Sequence, residues 1–91
     1  MQIRYFATYR EITGRRTEEV SAPGTVLALL HRLSEIYGVG LRKWLLSQDG
    51  TAKGENSIIM VNGRHIEHLD GVNTMLSEDD VVSLFPTVAG G

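Results

Sequence analysis

The fold is decided by residues 25–38, which read Thr-Val-Leu-Ala-Leu-Leu-His-Arg-Leu-Ser-Glu-Ile-Tyr-Gly. Apolar residues recur in this stretch at intervals of three and four, a spacing that places them on one face of a helix. They are Val26, Leu29, Leu30, Leu33 and Ile36. Thr25 is a favourable residue type for the amino cap, and Gly38 is one that often ends a helix in a left-handed conformation. The stretch therefore predicts an amphipathic helix with one apolar stripe to bury.

Alternating apolar residues before this helix predict two strands. Residues 2–9 and 16–22 are expected to form an antiparallel hairpin, with Thr13-Gly14 as the turn signal between them. Ile3, Tyr5 and Ala7 would then share one face of the first strand.

The second half of the chain predicts a short helix that contains Leu41, Trp44 and Leu45, and then an exposed loop over residues 47–57. Residues 57–61 give the best buried strand, and Asn62-Gly63 is a tight-turn dipeptide leading into residues 64–66. Residues 80–86 form the last strand.

The predicted order is β-β-α-(α)-β-β-β, which is an α+β fold. One main helix packed on one face of a mixed sheet of about five strands buries one apolar stripe against one apolar sheet face. With 91 residues the chain has room for one core only. We expect a folded domain over residues 1–86 and a flexible tail over residues 87–91.

Composition excludes several classes of function. Nine Lys and Arg residues against eleven Asp and Glu residues give a net charge of -2, which argues against a nucleic-acid binder. The absence of cysteine removes disulfides, thiolate metal sites and a cysteine nucleophile, and it favours a cytoplasmic location. The most apolar run, residues 58–61, is far too short to span a membrane. We therefore expect neither nucleic-acid nor membrane binding.

The carboxyl-terminal residues Thr87-Val88-Ala89-Gly90-Gly91 are the unusual feature. Pro86 is expected to stop the sheet ladder because proline has no N–H to donate. A Gly-Gly end is the thinnest backbone available, so a narrow channel in a partner would admit it and bring its carboxylate to a reaction centre. The alternative is a frayed terminus, in which glycine is common.

Segments spread along nearly the whole chain together resemble the MoaD family, the small subunits of molybdopterin synthase. These segments are Arg4-Tyr5-Phe6-Ala7, Arg10-Glu11, Thr13-Gly14, Thr25-Val26, Leu29-Leu30, Leu33, Tyr37-Gly38, Val61-Asn62-Gly63, Thr74-Met75-Leu76 and Leu84-Phe85-Pro86-Thr87-Val88-Ala89-Gly90-Gly91. The ending Phe-Pro-x-Val-Ala-Gly-Gly together with the Asn-Gly turn is the specific part. The family fold is the β-grasp, or ubiquitin-like, fold, which agrees with the element order above.

The resemblance implies a sulfur carrier that binds no cofactor itself. In such proteins an E1-like adenylating enzyme uses ATP and Mg to convert the last carboxylate, here that of Gly91, into an acyl-adenylate. A sulfur donor then replaces AMP and leaves a thiocarboxylate. The tail enters the large subunit of molybdopterin synthase, which moves the sulfur onto the pterin precursor, and Gly90 would keep the approach to Gly91 open.

Three departures from the family pattern leave the sulfur acceptor open. Thr87 stands where the family usually has a second proline, and Glu78-Asp79-Asp80 replaces Asp-Gly-Asp. The loop over residues 47–57 is also longer than in the shortest members. Molybdopterin is the first expectation for the acceptor, and thiolated tRNA nucleosides, thiamin and cysteine biosynthesis are the alternatives.

Strand alternation also predicts a docking surface beside the tail. If the inner face of the sheet meets the helix, the other face carries Arg4, Phe6, Met60, Val81, Ser83 and Phe85. Exposed aromatic residues beside a reactive tail are typical of a partner-binding patch. The resemblance implies that Phe6, His65 and Phe85 match positions that the family uses against its activating enzyme and catalytic subunit. The candidate partner-binding residues are Phe6, Met60, His65, Phe85, Pro86, Val88 and Ala89.

Other readings of the sequence are weaker. His65 and His68, with Glu67 and Asp70 nearby, suggest a metal site, but two histidines without a positioned third ligand are more typical of a surface turn, and we predict no metal. A ubiquitin-like modifier would instead form isopeptide bonds with lysines through Gly91. An interaction domain with an inert tail is the third hypothesis.

Overall fold

One long helix lies across one face of a five-stranded mixed sheet in the structure, a computed structural model that describes residues 1–87. The strands are β1 (Gln2–Tyr5), β2 (Thr17–Glu19), β3 (Ser57–Val61), β4 (Arg64–His65) and β5 (Val81–Pro86). The helices are α1 (Thr8–Thr13), α2 (Val26–Tyr37) and α3 (Val39–Leu45), followed later by two short 3₁₀ turns, Ile66–His68 and Gly71–Asn73.

The strands lie in the order β2-β1-β5-β3-β4. The central pair, β1 with β5, is parallel, whereas the other three pairs are antiparallel. Because β1 and β5 are parallel neighbours at the centre, residues 6–80 form the crossover connection between them. The predicted α+β arrangement, a mixed sheet of five strands with one main helix, is confirmed.

The apolar stripe of α2 forms one half of the core. Val26, Leu29, Leu30 and Leu33 are fully buried, as are their partners from the inner face of the sheet: Ile3, Ile59, Val82 and Leu84. Thr25 caps the helix, because its side-chain oxygen accepts a hydrogen bond from the Ala28 N–H at 3.1 Å.

The expectation for Ile36 is wrong, because its side chain is 56% exposed. A helix turns by about 100° per residue, so Ile36 lies about 80° from Val26, whereas Tyr37 lies within about 20° of it. The stripe accordingly continues through Tyr37, whose hydroxyl donates to the Glu18 carboxylate at 2.7 Å.

The first predicted strand is too long, and one helix was not predicted. β1 ends at Tyr5, and the exposed residue Ala7 turns the chain with a φ of 52° into α1. The turn signal Thr13-Gly14 in fact ends this helix, since Gly14 adopts the left-handed conformation with φ 72°. β1 and β2 still pair antiparallel as predicted.

The remaining elements follow the sequence closely. The helix containing Leu41 and Leu45 forms as α3, and β3 has the predicted bounds. Asn62 and Gly63 have φ values of 52° and 80°, as a two-residue hairpin turn requires. β5 begins one residue late, because Asp80 belongs to the preceding turn and accepts hydrogen bonds from the Ser77 N–H and the Asn62 side chain, which lower its pKa.

The loop over residues 47–57 is less exposed than predicted, since Gly50 and Gly54 are buried. The Gly54 N–H donates to the Leu45 carbonyl at 2.9 Å, which brings the loop against the end of α3. A Cβ on Gly54 would lie 2.3 Å from the Trp44 carbonyl oxygen. Only glycine allows this approach of two backbones.

Gly54→Ala is therefore expected to lower the free energy of unfolding by about 1–3 kcal/mol, because the clash is with backbone that cannot move aside cheaply. Gly40→Ala is the matched control: it lies inside α3, nothing lies within 4 Å of its added Cβ, and alanine favours the helix. Urea unfolding of both variants measures the difference. A Gly54→Ala protein as stable as the parent would contradict the close approach.

Buried tyrosines make the fold sensitive to alkali. The Tyr9 hydroxyl donates to the Ser57 hydroxyl at 2.7 Å, and burial raises the pKa of Tyr9 to about 12. Burial, and then the bond to Glu18, raise the pKa of Tyr5 as well. A tyrosine with a raised folded-state pKa contributes stability that is complete below its unfolded pKa of about 10, and this contribution is lost as the pH rises above that value and through the folded-state pKa.

We expect the free energy of unfolding to begin falling near pH 10 and to continue falling toward pH 12. Tyr9→Phe should make this decrease shallower, because one of the titrating groups is then absent. Urea unfolding at a series of pH values provides the measurement. An unchanged slope in Tyr9→Phe would show that Tyr9 does not titrate with unfolding.

Candidate docking face beside the carboxyl-terminal residues

The face of the sheet that α2 does not cover is the candidate docking face, and we call it the open face. Strand register sets Arg4, Ser83, Met60 and His65 side by side across β1, β5, β3 and β4. Phe85 and Ile58 form the next pair toward the carboxyl end of β5. Because side chains alternate along a strand, these residues point away from α2.

Two aromatic rings dominate the open face. Phe6 and Phe85 are stacked with ring centroids 4.3 Å apart and planes 13° from parallel. The Arg10 guanidinium lies 5.7 Å from the centroid of the Phe6 ring, within reach of a cation–π interaction, and its Nε donates to the Tyr5 carbonyl at 3.3 Å. Both phenylalanines are half-buried, so part of each ring stays available to a partner.

The turn at Ala7 positions this pair. Phe6 lies just beyond β1, where its N–H donates to the Leu84 carbonyl at 3.2 Å and ties it to β5. Ala7 then directs the chain into α1, which places Arg10 over the Phe6 ring. Sequence analysis did not select Arg10, because residues 2–9 were predicted as a strand. Phe6 lies before the start of α1, so its spacing of four residues from Arg10 is not a helical-face signal.

The other predicted partner-binding residues are distributed unevenly. Met60 and His65 pair with one another at the β3–β4 edge of the open face. Pro86 shares the alternation of Val82 and Leu84, so it lies on the α2 side of the sheet rather than on the open face. Val88, Ala89, Gly90 and Gly91 lie outside the described residues. Ile58, which the sequence reasoning did not select, is half-buried beside Phe85.

His65, which is half-buried, has a structural role in addition to its place on the open face. Its Nδ1 accepts a hydrogen bond from the Glu67 N–H at 3.2 Å and caps the first 3₁₀ turn. The rings of His65 and His68 lie 6.2 Å apart, edge to face. Within residues 1–87, no three His, Asp or Glu side chains lie close enough together to hold a metal ion.

The fold defines the class of protein. A mixed five-stranded sheet packed against one long helix is the ubiquitin-like β-grasp fold. The solution structure of small archaeal modifier protein 1 (SAMP1) from Methanosarcina acetivorans matches this chain with a TM-score of 0.85. That match has 26% sequence identity and covers 99% of this chain and 94% of that one.

A family model described as the ThiS family matches residues 3–91. Small archaeal modifier protein 3 of Haloferax volcanii is 38% identical over 96 residues, covering 100% of this chain and 98% of that protein. The molybdopterin synthase sulfur carrier subunit of Emericella nidulans is 29% identical over 90 residues, covering 99% of this chain and 96% of that protein. The chain belongs to the ThiS family, whose MoaD-type members are ubiquitin-like sulfur carriers, and the resemblance drawn from the sequence is confirmed.

The described part of the chain, residues 1–87, contains no helix long and apolar enough to cross a membrane.

Replacing Phe85 with Ala should weaken binding to an adenylating partner by about 2 kcal/mol, the usual cost of truncating a central aromatic contact. Ile36→Ala is the matched control, because it removes an exposed apolar side chain from α2, which covers the opposite face of the sheet. Calorimetric titration of each variant into the partner gives the affinities. Equal affinities for the parent and Phe85→Ala would exclude the open face as the docking surface.

Proposed function

We propose that this chain is a sulfur carrier whose Gly91 carboxylate is first adenylated and then converted to a thiocarboxylate. The observation that carries the proposal is the reach of the family match, which extends from residue 3 to Gly91 and so includes the Gly90-Gly91 pair. Gly91 is the reacting residue, and Gly90 leaves the approach to it unobstructed by a side chain.

The chemistry needs activation because a carboxylate is a poor electrophile. A carboxylate oxygen of Gly91 attacks the α-phosphate of ATP, pyrophosphate leaves, and an acyl-adenylate forms. Sulfide sulfur then attacks the acyl carbon, AMP leaves with the bonding electrons, and a proton is released. An E1-like adenylating enzyme supplies the ATP and Mg site for these steps, and the open face with Phe6 and Phe85 docks the chain on that enzyme.

We further propose that the sulfur goes to a molybdopterin precursor in the large subunit of molybdopterin synthase. The Emericella relative, which matches almost the whole length of this chain, is by its name the sulfur carrier subunit of that enzyme. Docking through the same open face would place Val88 and Ala89 at the mouth of the partner's channel. We also propose a cytoplasmic location, which the absence of cysteine favours because such a chain needs no disulfides.

A second candidate function is protein modification. The Haloferax relative is named a small archaeal modifier protein, and it covers the full length of this chain at 38% identity. The same acyl-adenylate would serve, since a lysine amine that attacks the activated carbonyl displaces AMP and forms an isopeptide bond. The two functions therefore differ in the nucleophile that meets the activated Gly91.

The test is the intact mass of the chain after incubation with an E1-like adenylating enzyme from the same organism, Mg-ATP and sulfide. We expect a mass increase equal to one oxygen replaced by sulfur, and no increase when Gly91 is deleted. Adducts linked to lysine without any thiocarboxylate would favour the modifier function. Neither adenylation nor a mass change would overturn the proposal.

The acceptor is tested separately with the purified thiocarboxylate form. Mixed with the large subunit of molybdopterin synthase and the pterin precursor, it should lose sulfur and return to the original mass. Retention of the sulfur under these conditions would direct the search to thiolated tRNA nucleosides, thiamin or cysteine as the product.

A further inference from the structure

The root of the carboxyl-terminal tail is held by the strand next to it. The Thr87 backbone N–H donates to the carbonyl of Asn56, the residue before β3, at 3.0 Å. At the other end of the same strand pair, the Asn62 backbone N–H donates to the Val81 carbonyl at 2.8 Å, and these two bonds identify which residue pairs of β3 and β5 are hydrogen-bonded. Hydrogen-bonded and non-hydrogen-bonded pairs alternate in antiparallel strands, so Pro86, opposite Ser57, falls at a position where no N–H is needed toward β3. β5 ends at Pro86 as predicted, but hydrogen bonding to the β3 side continues to Thr87.

The hydrogen bond to Asn56 forms because residue 87 is threonine, which has a backbone N–H. The sequence resemblance places a second proline here in the family, and proline has no N–H to donate. In this chain the Asn56 carbonyl therefore holds the backbone at Thr87.

Lys53 bridges the backbone on either side of Asn56. The Lys53 ammonium donates to the Gly54 carbonyl at 2.9 Å and to the Ser57 carbonyl at 2.5 Å. Because Ser57 is in a non-hydrogen-bonded pair with β5, its carbonyl points away from β5, toward the β4 side of β3. β4 pairs there with Met60 and Val61 and does not extend to Ser57. Lys53 thus satisfies a strand acceptor that β4 does not reach.

This group, residues 53–57, which we call the lysine clasp, is anchored to the rest of the domain at two further points. Gly54 is bonded to Leu45 at the end of α3, as described above, and the Ser57 hydroxyl accepts from buried Tyr9. Lys53 is half-buried, and hydrogen bonds from a charged donor are stronger than neutral ones. The clasp is therefore a fixed support for the tail root rather than a free loop.

We propose that Lys53 is a positioning residue for the carboxyl-terminal tail: through the clasp it holds the Asn56 carbonyl on the Thr87 N–H and so fixes the exit direction of the tail before a partner binds. This inference rests on the proposed function. The residues from 88 to 91 span at most about 14 Å when extended, so the direction at Thr87 decides whether Gly91 reaches a reaction centre. A root ordered in advance also lowers the entropy lost when the tail enters a channel.

The chain offers a close control, because Lys43 and Lys53 are its two lysines. Lys43 is exposed on α3 and lines a shallow groove of about 250 Å³ together with Trp44 and Asn56, so it lies on the same side of the domain. Lys43→Met removes the same charge near the tail root, and Lys43 donates neither of the two hydrogen bonds that Lys53 makes within the clasp. Lys53→Arg retains a cationic donor within the clasp.

The first measurement needs no partner. In Lys53→Met, amide hydrogen exchange at Thr87 should become at least about tenfold faster, while exchange at Met60 and Leu84 in the central strands stays unchanged. Lys43→Met should exchange like the parent. Unchanged protection of Thr87 in Lys53→Met would overturn the inference whatever the function of the chain.

The second measurement is the steady-state rate of adenylation, followed by pyrophosphate release with the E1-like enzyme and Mg-ATP. Lys53→Met should raise KM for the carrier about five- to tenfold with kcat within twofold, since one backbone residue must be ordered anew on binding. Lys53→Arg and Lys43→Met should keep the parental KM.

Three outcomes would overturn the positioning role of Lys53: an unchanged KM in Lys53→Met, an equal rise in Lys43→Met, or a Lys53→Arg protein as impaired as Lys53→Met. A parent chain that is not adenylated would instead reject the proposed function, and the exchange measurement would still test the clasp.

Discussion

The burial of the α2 stripe against the inner face of the sheet is the interaction on which the rest of this structure depends. Leu29, Leu30 and Leu33 of α2 are fully buried, as are Ile59 and Leu84 on the inner face of the sheet. Because side chains alternate along each strand, burying one face assigns every remaining strand residue to the other. The open face is therefore a consequence of core packing.

Each strand therefore carries core residues on one face and candidate docking residues on the other. β5 contributes Val82 and Leu84 to the core and Phe85 to the open face, and then leads directly to the tail root at Thr87. A partner docked on Phe6 and Phe85, as proposed, would lie beside the tail root at Thr87. Under the proposed function, the domain would in this way present Gly91 to the enzymes that supply the catalytic groups.

Much of the fold could be predicted from the sequence because its signals are local. The cap at Thr25, the spacing of the leucines in α2 and the Asn62-Gly63 turn each depend on residues a few positions apart. α1 could not be predicted in this way. Residues 6–9 alternate well enough for a strand, and the helix forms because Tyr9 is buried against Ser57 and Trp44, which are distant in sequence. The exposure of Ile36 has a similar origin, since only the position of the sheet decides which edge of a stripe is covered.

The residues of the candidate site also fall into two groups: those that the local sequence predicts and those that only the folded structure brings together. The sequence by itself determined the alternation that puts Phe6, Met60 and Phe85 on one face and the Gly-Gly pair that carries the proposed chemistry, because both are written in neighbouring residues. Tertiary structure alone decided that Phe6 stacks on Phe85, that Arg10 lies over the Phe6 ring and that Lys53 supports the root of the tail. The Phe6–Phe85 stacking and the contacts at the tail root join segments that only the position of β5 between β1 and β3 brings together, and no local pattern encodes them.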